Sequence, residues 1–503
     1  MSIQKFMAQA FDQLETNQLI LPFLLLPLLY FIYKHFWKSR HSPPLPPGPT
    51  PWPILGHVHE MRKMTHVTLA ELAQSYGPLM SLKLGTQHLI VGSSSESAQE
   101  ILKTNDRILC ARTVPHAVAL TKSEIERLSF WADPWSEHWK NIRTVCQTEL
   151  FSNRALESET RLREEKVMEM VKFLEAREGT VVNLQDLVYA TVVNMFSNAF
   201  FSRDFLRLGD ESGVNMLRGI LRGIIQAIGA PNLPDFFPVL GRFDVHGWRR
   251  KHRELSDRAR ALWETDVKER RERGKSGKSN QDFLDALLHI GFDDVQINIL
   301  LEELFEAGID TTTSTISRTM VELLNSSECM NKLQHELDSE SNHDSLKTPQ
   351  VLKLPFLEAC IKETLRLHPP APTLLAHRAH KKCQVMNYTI PENARVLVNV
   401  WAIGRDPSVW DEPLEYRPER FLKSDVNYKG NDFQFLPFGA GRRICPGLPM
   451  AAKIMPLALA SLVLSFDWSY ANGSDPALHK EFRATSSIMK PLLLIPKARQ
   501  LIQ

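Results

Sequence analysis

The chain has 503 residues, of which 43% are hydrophobic and 23% charged, an ordinary balance for a globular protein with a large core. Its 60 basic and 58 acidic side chains leave a formal net charge of +2, which gives no reason to expect nucleic acid as a partner. Six widely spaced cysteines (Cys110, Cys146, Cys329, Cys360, Cys383 and Cys445) form no CxxC or Cys/His cluster, which argues against a disulfide framework or a zinc ribbon and for a reducing compartment.

Between Glu15 and Lys34 run 18 residues without a charge, TNQLILPFLLLPLLYFIY. With its flanks this stretch meets the roughly 20 residues that a spanning helix needs. Asp12 and Glu15 precede it and no small-residue cleavage site follows, which speaks against a cleaved signal peptide. Lys34, Lys38 and Arg40 follow it, and basic residues favour the cytosolic side. The expected organisation is a lumenal N-terminus (1–15), a transmembrane anchor (16–37), a basic and proline-rich hinge (38–56) and a cytosolic domain (57–503). The segment PPLPPGPTPWP, Pro43 to Pro53, cannot form helix and suits a stiff extended spacer, although its composition also fits a loose spacer or an SH3-type ligand.

Leu79–Gly85 and His88–Ser93 read as two short strands around a turn. Most of the remainder reads as helix, for example 161–178, 252–272 and 293–326, with a smaller strand-rich share. ERGKSGKSN, Glu272 to Asn280, resembles a phosphate loop but lacks the glycine that GxxxxGK[ST] requires at 272, so nucleotide binding there is rejected. WSEHWKNIR places Trp139 and Arg143 four apart on a helix. EAGIDTTTST, Glu306 to Thr315, carries glycine in mid-helix at about 1 kcal/mol relative to Ala, so Ala307 and Gly308 are expected to make room on that face. The hydroxyls after them can bond the carbonyl one turn back. Taken alone, the stretch also reads as the polar stripe of an ordinary helix.

KETLR places Glu363 and Arg366 within pairing reach on one helix face, an arrangement that in isolation is usually a solvated bridge of about 0.5 kcal/mol or less. YRPERF supplies Pro418, Glu419, Arg420 and Phe421. Finally, FLPFGAGRRICPG (435–447) sets one cysteine among three glycines, two prolines and two adjacent arginines. Gly439 and Gly441 can take positive φ and turn the backbone tightly beneath something flat. Pro446 has no N–H, so hydrogen bonds to the Cys445 sulfur must come from later amides such as that of Gly447. The template Phe438-x-x-Gly441-x-Arg443-x-Cys445-x-Gly447 arises by chance on the order of once in several thousand chains this long.

With these motifs in this order, the chain resembles the cytochrome P-450 family along nearly its whole length. The resemblance implies a mainly α fold, the family's triangular prism with a small β-rich lobe, preceded by one N-terminal transmembrane helix. It implies one haem b, with Cys445 as the metal ligand whose thiolate pushes electron density towards iron. Phe438 and Gly447 would flank that ligand, and Trp139, Arg143 and Arg443 would contact the haem propionates. Arg112 and Arg378 follow as further propionate contacts, with His377 as a substitute for Arg378. Carried over by position, Asp310 and Thr311 are the acid and alcohol that deliver protons on the distal face. Glu363, Arg366 and Arg420 form a triad that supports the Cys loop.

The resemblance further implies two electrons from an NADPH–cytochrome reductase flavoprotein, docking near Lys140, Arg442 and Lys453. It also implies O2 as co-substrate, attachment to the endoplasmic-reticulum bilayer and a small lipophilic substrate. The anchor, the hinge and the Cys loop look like plant microsomal members, in particular lineages that oxidise alkaloids. Two departures bear on the substrate: Ser317-Arg318 stand where an acidic-aromatic pair is frequent, and Ala376 replaces a frequent proline. The pocket is expected along 114–128, 218–232, 370–375 and 485–489. Glu124 and Glu126 could pair with a cationic amine, but acids in such a loop are more often solvated.

The same iron site could serve oxidative rearrangement or coupling without oxygen insertion. A reductase-independent peroxide isomerase or a membrane-tethered haem sensor would have no need of Asp310 and Thr311. A cytosolic body predicts that the sequons at Asn325, Asn387 and Asn472 stay unmodified in cells. A mass shift reversed by glycosidase would overturn that topology.

Overall fold

The computed structural model describes residues 43–118, 121–125, 127–274, 282–341, 347–471 and 491–499. The helices that position the site are α1 (Glu137–Glu149), α2 (Leu184–Phe201), α3 (Glu211–Gly229), α4 (Trp248–Arg260), α5 (Asp294–Asn325), α6 (Pro355–Leu367) and α7 (Leu448–Ser465). At 32 residues and 1.5 Å per residue, α5 is about 48 Å long. It starts at a capping box in which the Asp293 carboxylate accepts from the Gln296 amide (2.8 Å) and the Gln296 side chain accepts from the Asp293 amide (3.0 Å).

Helix α2 is apolar around almost its whole circumference and is accordingly buried on nearly every side. It packs on α5 through aromatic rings. Phe201 stacks on Phe305 with planes 8° apart, Phe200 meets Phe305 edge-on at 5.1 Å, and Trp263 stacks on Phe305 at 5.5 Å. The same contact explains Gly308. A Cβ there would lie 2.4 Å from the Phe196 ring of α2, so the missing side chain admits Phe196, and Gly308 also lines the cavity, the room on that face that the sequence suggested. Ala307 lines it beside Gly308.

The helix expected over 252–272 is two helices, α4 and Glu264–Gly274. The chain breaks at 261–263, where Trp263 turns inward (1% exposed) and its indole N–H reaches the Asn298 side chain at 2.9 Å. Helix α7 is long and apolar enough to cross a membrane, but it is buried in the core against α5 and α6. The N-terminal anchor at 16–37 lies outside the described residues.

Three small sheets complete the fold. Strands β1 (Leu79–Leu84) and β2 (Gln87–Gly92) form the hairpin expected from sequence. β3 (Val182–Asn183) belongs to a second sheet, and β4 (His377–Arg378) is the far edge of the first. β5 (Cys383–Val385) and β6 (Tyr388–Ile390) pair with each other, and β7 (Arg395–Val398) lies between β2 and β4, parallel to β2 and antiparallel to β4. β8 (Phe466–Tyr470) and β9 (Leu493–Ala498) complete the second sheet with β3.

The proline-rich segment is part of this body and not a spacer. Ser81 donates from its amide to the Pro47 carbonyl (2.8 Å) and from its hydroxyl to Pro46 (2.6 Å), while Thr389 donates likewise to Pro44 and Pro43. Gly48 and Gly56 lie so close to β1 that a Cβ would meet the Ser81 and Lys83 carbonyl oxygens at 1.9 and 2.1 Å. The globular unit therefore begins at or before Pro43 rather than at 57.

Behind the Cys loop, the fully buried Glu363 of α6 receives Arg366 Nε and Nη2, both at 2.7 Å, and Arg420 Nε at 3.0 Å. The Arg417 amide adds a further bond at 2.8 Å. Arg366 uses its remaining donors on the Gly404, Pro413 and Glu415 carbonyls. The three triad residues thus fasten α6 to the 404–420 segment. Removing one partner of a buried pair costs about 3–5 kcal/mol. Glu363→Ala or Arg366→Ala is therefore expected to yield little folded, haem-loaded protein, and a normal melting temperature in either would reduce the pair to a surface bridge.

Candidate active site

A cavity of about 1410 Å³ lies between α5 and the Cys loop. It exceeds the range of about 300–1,000 Å³ usual for a single small-molecule site. Three of the four expected lining segments contribute to it: Val118 and Leu128 from the first, α3 residues from the second, and Pro370–Leu375. The fourth, 485–489, lies outside the described residues, as does Glu126. Glu124 is not in the wall; its carboxylate caps its own turn by accepting from the Thr121 amide and hydroxyl, both at 2.7 Å.

Cys445 forms part of the wall. Gly439 (φ 71°) and Gly441 (φ 66°) both adopt the left-handed conformation expected of them. At Gly441 a Cβ would lie 2.2 Å from the Leu102 carbonyl oxygen, so glycine is required twice over. The Cys445 amide donates to the Phe438 carbonyl at 3.0 Å, closing the turn. The sulfur precedes the N-terminus of α7, whose dipole favours negative charge. Burial raises the Cys445 thiol, while the Gly447 amide, the Arg143 charge and the Leu448 amide pull it down.

Around this loop three guanidinium groups share one side of the cavity. Arg143 of α1 donates Nη2 to the Ile444 carbonyl at 2.6 Å. Arg443 donates to the Cys110 (2.9 Å), Phe130 (3.4 Å) and Ala132 (2.6 Å) carbonyls, with its guanidinium 5.1 Å from the Trp139 ring. Arg112 donates Nη1 to the Ala376 carbonyl at 3.2 Å and leaves a buried Nε without a partner. Burial, and then the like charge of Arg443, lower Arg112 to about 9, and burial foremost lowers Arg443 to about 10. None of the three is ion-paired with a carboxylate among the described residues. Unpaired buried cations are costly, so this wall fits a ligand that brings two negative charges of its own. Haem, with two propionates, a flat macrocycle and one axial position for sulfur, matches that demand. Among the described residues no group of three His, Cys, Asp or Glu side chains could hold a bare metal ion.

Arg378 does not join this set. Alternation along β4 turns it out of the cavity, where Nε donates to the Arg112 carbonyl (3.1 Å) and Nη1 to Asn393 (2.8 Å). His377, its neighbour, faces inward instead; burial and the Arg112 charge lower it to about 3, and Nδ1 lies 3.0 Å from the Leu109 carbonyl. Both departures noted above reach the cavity, which Arg318 and Ala376 line. Arg318 sits 3.3 Å from His368 Nδ1, and Ala376 offers Arg112 a carbonyl that proline would also provide.

On the opposite side, the Thr311 hydroxyl faces the cavity and donates to the Ala307 carbonyl at 2.6 Å. Asp310 is clamped by Arg222 of α3 at 2.7 and 3.3 Å, a partner that sequence reasoning missed. It also missed three acids on the cavity side of α5. Glu303 accepts from the Ser129 amide and hydroxyl and the Phe130 amide, and burial pushes its carboxyl up to about 7 against those bonds. Glu302 accepts from Ser256 (2.7 Å) with Arg260 3.7 Å away. Glu306 is 8% exposed and lines the cavity. Their spacing in LEELFEAGID, three and four residues apart beside Ala307-Gly308, was the available signal.

The unpartnered Arg112 gives a direct test. Arg112→Leu removes a buried cation that only an anionic ligand would offset, so the variant is expected to fold but to retain a smaller haem-to-protein ratio after gel filtration. Equal haem content would remove Arg112 from the propionate set.

The model of the family described as cytochrome P450, written here cytochrome P-450, matches residues 46–497. The chain is 44% identical over 475 residues to a probable (S)-N-methylcoclaurine 3'-hydroxylase isozyme 2 of Coptis japonica, covering 93% of this chain and 97% of that one. It is 40% identical to a corytuberine synthase of the same plant (90% and 94% covered) and 38% identical to a berbamunine synthase of Berberis stolonifera (94% and 98% covered). Joined to the cysteine loop, the cationic wall and the helical fold, these matches make the chain a member of the cytochrome P-450 family, the haem-thiolate monooxygenases.

Proposed function

We propose that the protein is a microsomal monooxygenase that oxidises a small, nitrogen-containing plant metabolite of the alkaloid type. The observation that carries this reading is the cavity itself, with Cys445 in one wall and Thr311 in another, in a chain similar to enzymes named for N-methylcoclaurine hydroxylation. Cys445 would hold haem through its sulfur, and Arg112, Arg143 and Arg443 would take the propionates. Haem held there would supply oxygen activation, in which O2, two electrons and two protons yield one oxygen atom in the substrate and one molecule of water.

The chain's own groups manage protons and solvent. The Thr311 hydroxyl, steered by its bond to the Ala307 carbonyl, holds a transferable proton at Oγ1 beside the cavity. Asp310 can resupply it only when Arg222 releases the carboxylate, so α3 controls the acid. Apolar side chains such as Val118, Leu128, Ile299 and Leu304 keep bulk water from the reacting region.

Electrons would come from the NADPH–cytochrome reductase. Of the cations expected to dock it, Lys140 pairs with Glu137 and Arg442 with Asp106, which leaves this face less basic than its sequence. Attachment to the endoplasmic-reticulum membrane through residues 16–37, with a cytosolic body, is part of the proposal. It is supported by two exposed apolar segments, one with Trp52 and Ile54 (63% and 81% exposed), the other with Val239 and Phe243 (82% and 62%).

A second reading is oxidation without oxygen insertion at the same site, and two similar chains are named as synthases rather than hydroxylases. Incubation with reductase, NADPH and a panel of benzylisoquinoline alkaloids separates the two. A product heavier by one oxygen supports the first, one lighter by two hydrogens supports the second, and no product from any alkaloid would overturn the substrate class. Thr311→Ala is expected to keep haem but to divert NADPH to peroxide, with product formation lower by about 10²-fold or more. Coupling equal to the unmodified enzyme would remove Thr311 as the proton relay.

A further inference from the structure

Every acid on the cavity side of α5 has its charge accounted for except one. Glu303 is saturated by three donors, Glu302 has Ser256 and Arg260, and Asp310 has Arg222. Glu306 lines the cavity, is 8% exposed, and has no hydrogen-bond or ion-pair partner among the described residues. The charges that bear on it are Glu302 and Glu303, one turn back and both acidic, so burial and like charge hold its carboxyl well above the usual carboxylate range. Of the cavity-lining cations on this and the neighbouring helices, Arg218 pairs with Asp186, Arg222 with Asp310 and Arg260 with Glu302 and Asp257, while Lys251 lies against Gln226 and the Trp248 ring and Arg318 against His368; none reaches Glu306. A lone acid in such a place lowers stability unless something offsets its charge, and an offset that the chain lacks must arrive with a ligand.

We infer that Glu306 is the substrate-binding counter-ion for a protonated amine: the carboxylate receives an N–H of an ammonium group and fixes the nitrogen beside α5. This rests on the monooxygenase reading and names the substrate class for the same cavity. When the cation binds, Glu306 gives up its carboxyl proton to solvent and the buried pair is neutral overall. The anchor also sets reach. Glu306 and Thr311 are five residues apart, about 7.5 Å along the helix axis, so an anchored nitrogen leaves a carbon several bonds away near the proton relay.

The test uses the full-length, haem-loaded enzyme and two probes of nearly equal shape. One is 1-benzyl-2-methyl-tetrahydroisoquinoline, a tertiary amine that is cationic at neutral pH; the other is its neutral N-acetyl analogue. Equilibrium dialysis of the unmodified enzyme is expected to show at least a tenfold preference for the amine. Glu306→Gln, nearly isosteric, should erase that preference while leaving the amide's affinity and the haem content unchanged, and Glu306→Asp should restore part of it. Equal binding of both probes by the unmodified enzyme, binding of neither, or an undiminished preference in Glu306→Gln would each overturn the assignment. The arms separate it from the monooxygenase reading. Oxidation of either probe without amine preference sinks Glu306 alone, whereas amine preference without turnover upholds Glu306 and counts against alkaloid oxidation.

Discussion

A single carboxylate holds the proximal half of the molecule together. Glu363 accepts from two guanidinium groups and a backbone amide in a fully buried place, and Arg366 carries the remaining donors to three carbonyls between residues 404 and 415. Such a set adds little net stability, because desolvating its charges offsets most of their attraction. Its value lies in direction, since hydrogen bonds at 2.7–3.0 Å tolerate little displacement of the backbone they fix. The segment so fastened leads into the loop that presents Cys445.

Across the cavity the electrostatics divide. Arginines without carboxylate partners stand on the cysteine side, and on α5 Glu306 stands without a partner beside acids that have theirs. Neither set could be buried cheaply in an apolar interior alone. Together they suit contents charged in the opposite sense, anionic beside the loop and cationic beside the helix. A field of this kind orients a bound molecule before any contact of shape does.

How much of this was legible in the sequence follows from how each feature is encoded. The cysteine loop, the Glu363–Arg366 pair and the first β-hairpin are local: backbone conformation or helix spacing dictates residue types within a few positions, so they can be read from the string. The Arg222–Asp310 clamp joins residues 88 apart and leaves no local trace. Whether Arg378 or His377 looks inward depends on how β4 pairs with β7, a register fixed by residues elsewhere. Gly308 was read as room on the cavity face, which it lines, but its second role, admitting Phe196 from α2, could not be seen. The acids at 302, 303 and 306 were visible, but an acid on a long helix usually faces water, and burial is a tertiary fact.

The docked prolines have a geometric consequence for life at a bilayer. Because Pro43 and Pro44 are already bonded to Thr389, the body is held from that point onward. If residues 16–37 span a bilayer, as proposed, only the five residues 38–42 separate that span from the held body, a contour length of no more than about 18 Å. A leash that short does not let a body of this size tumble. It would restrict the body to a few orientations, and Trp52 and Ile54, nine and eleven residues beyond Pro43, are exposed apolar groups close to it in sequence and suited to meet the lipid.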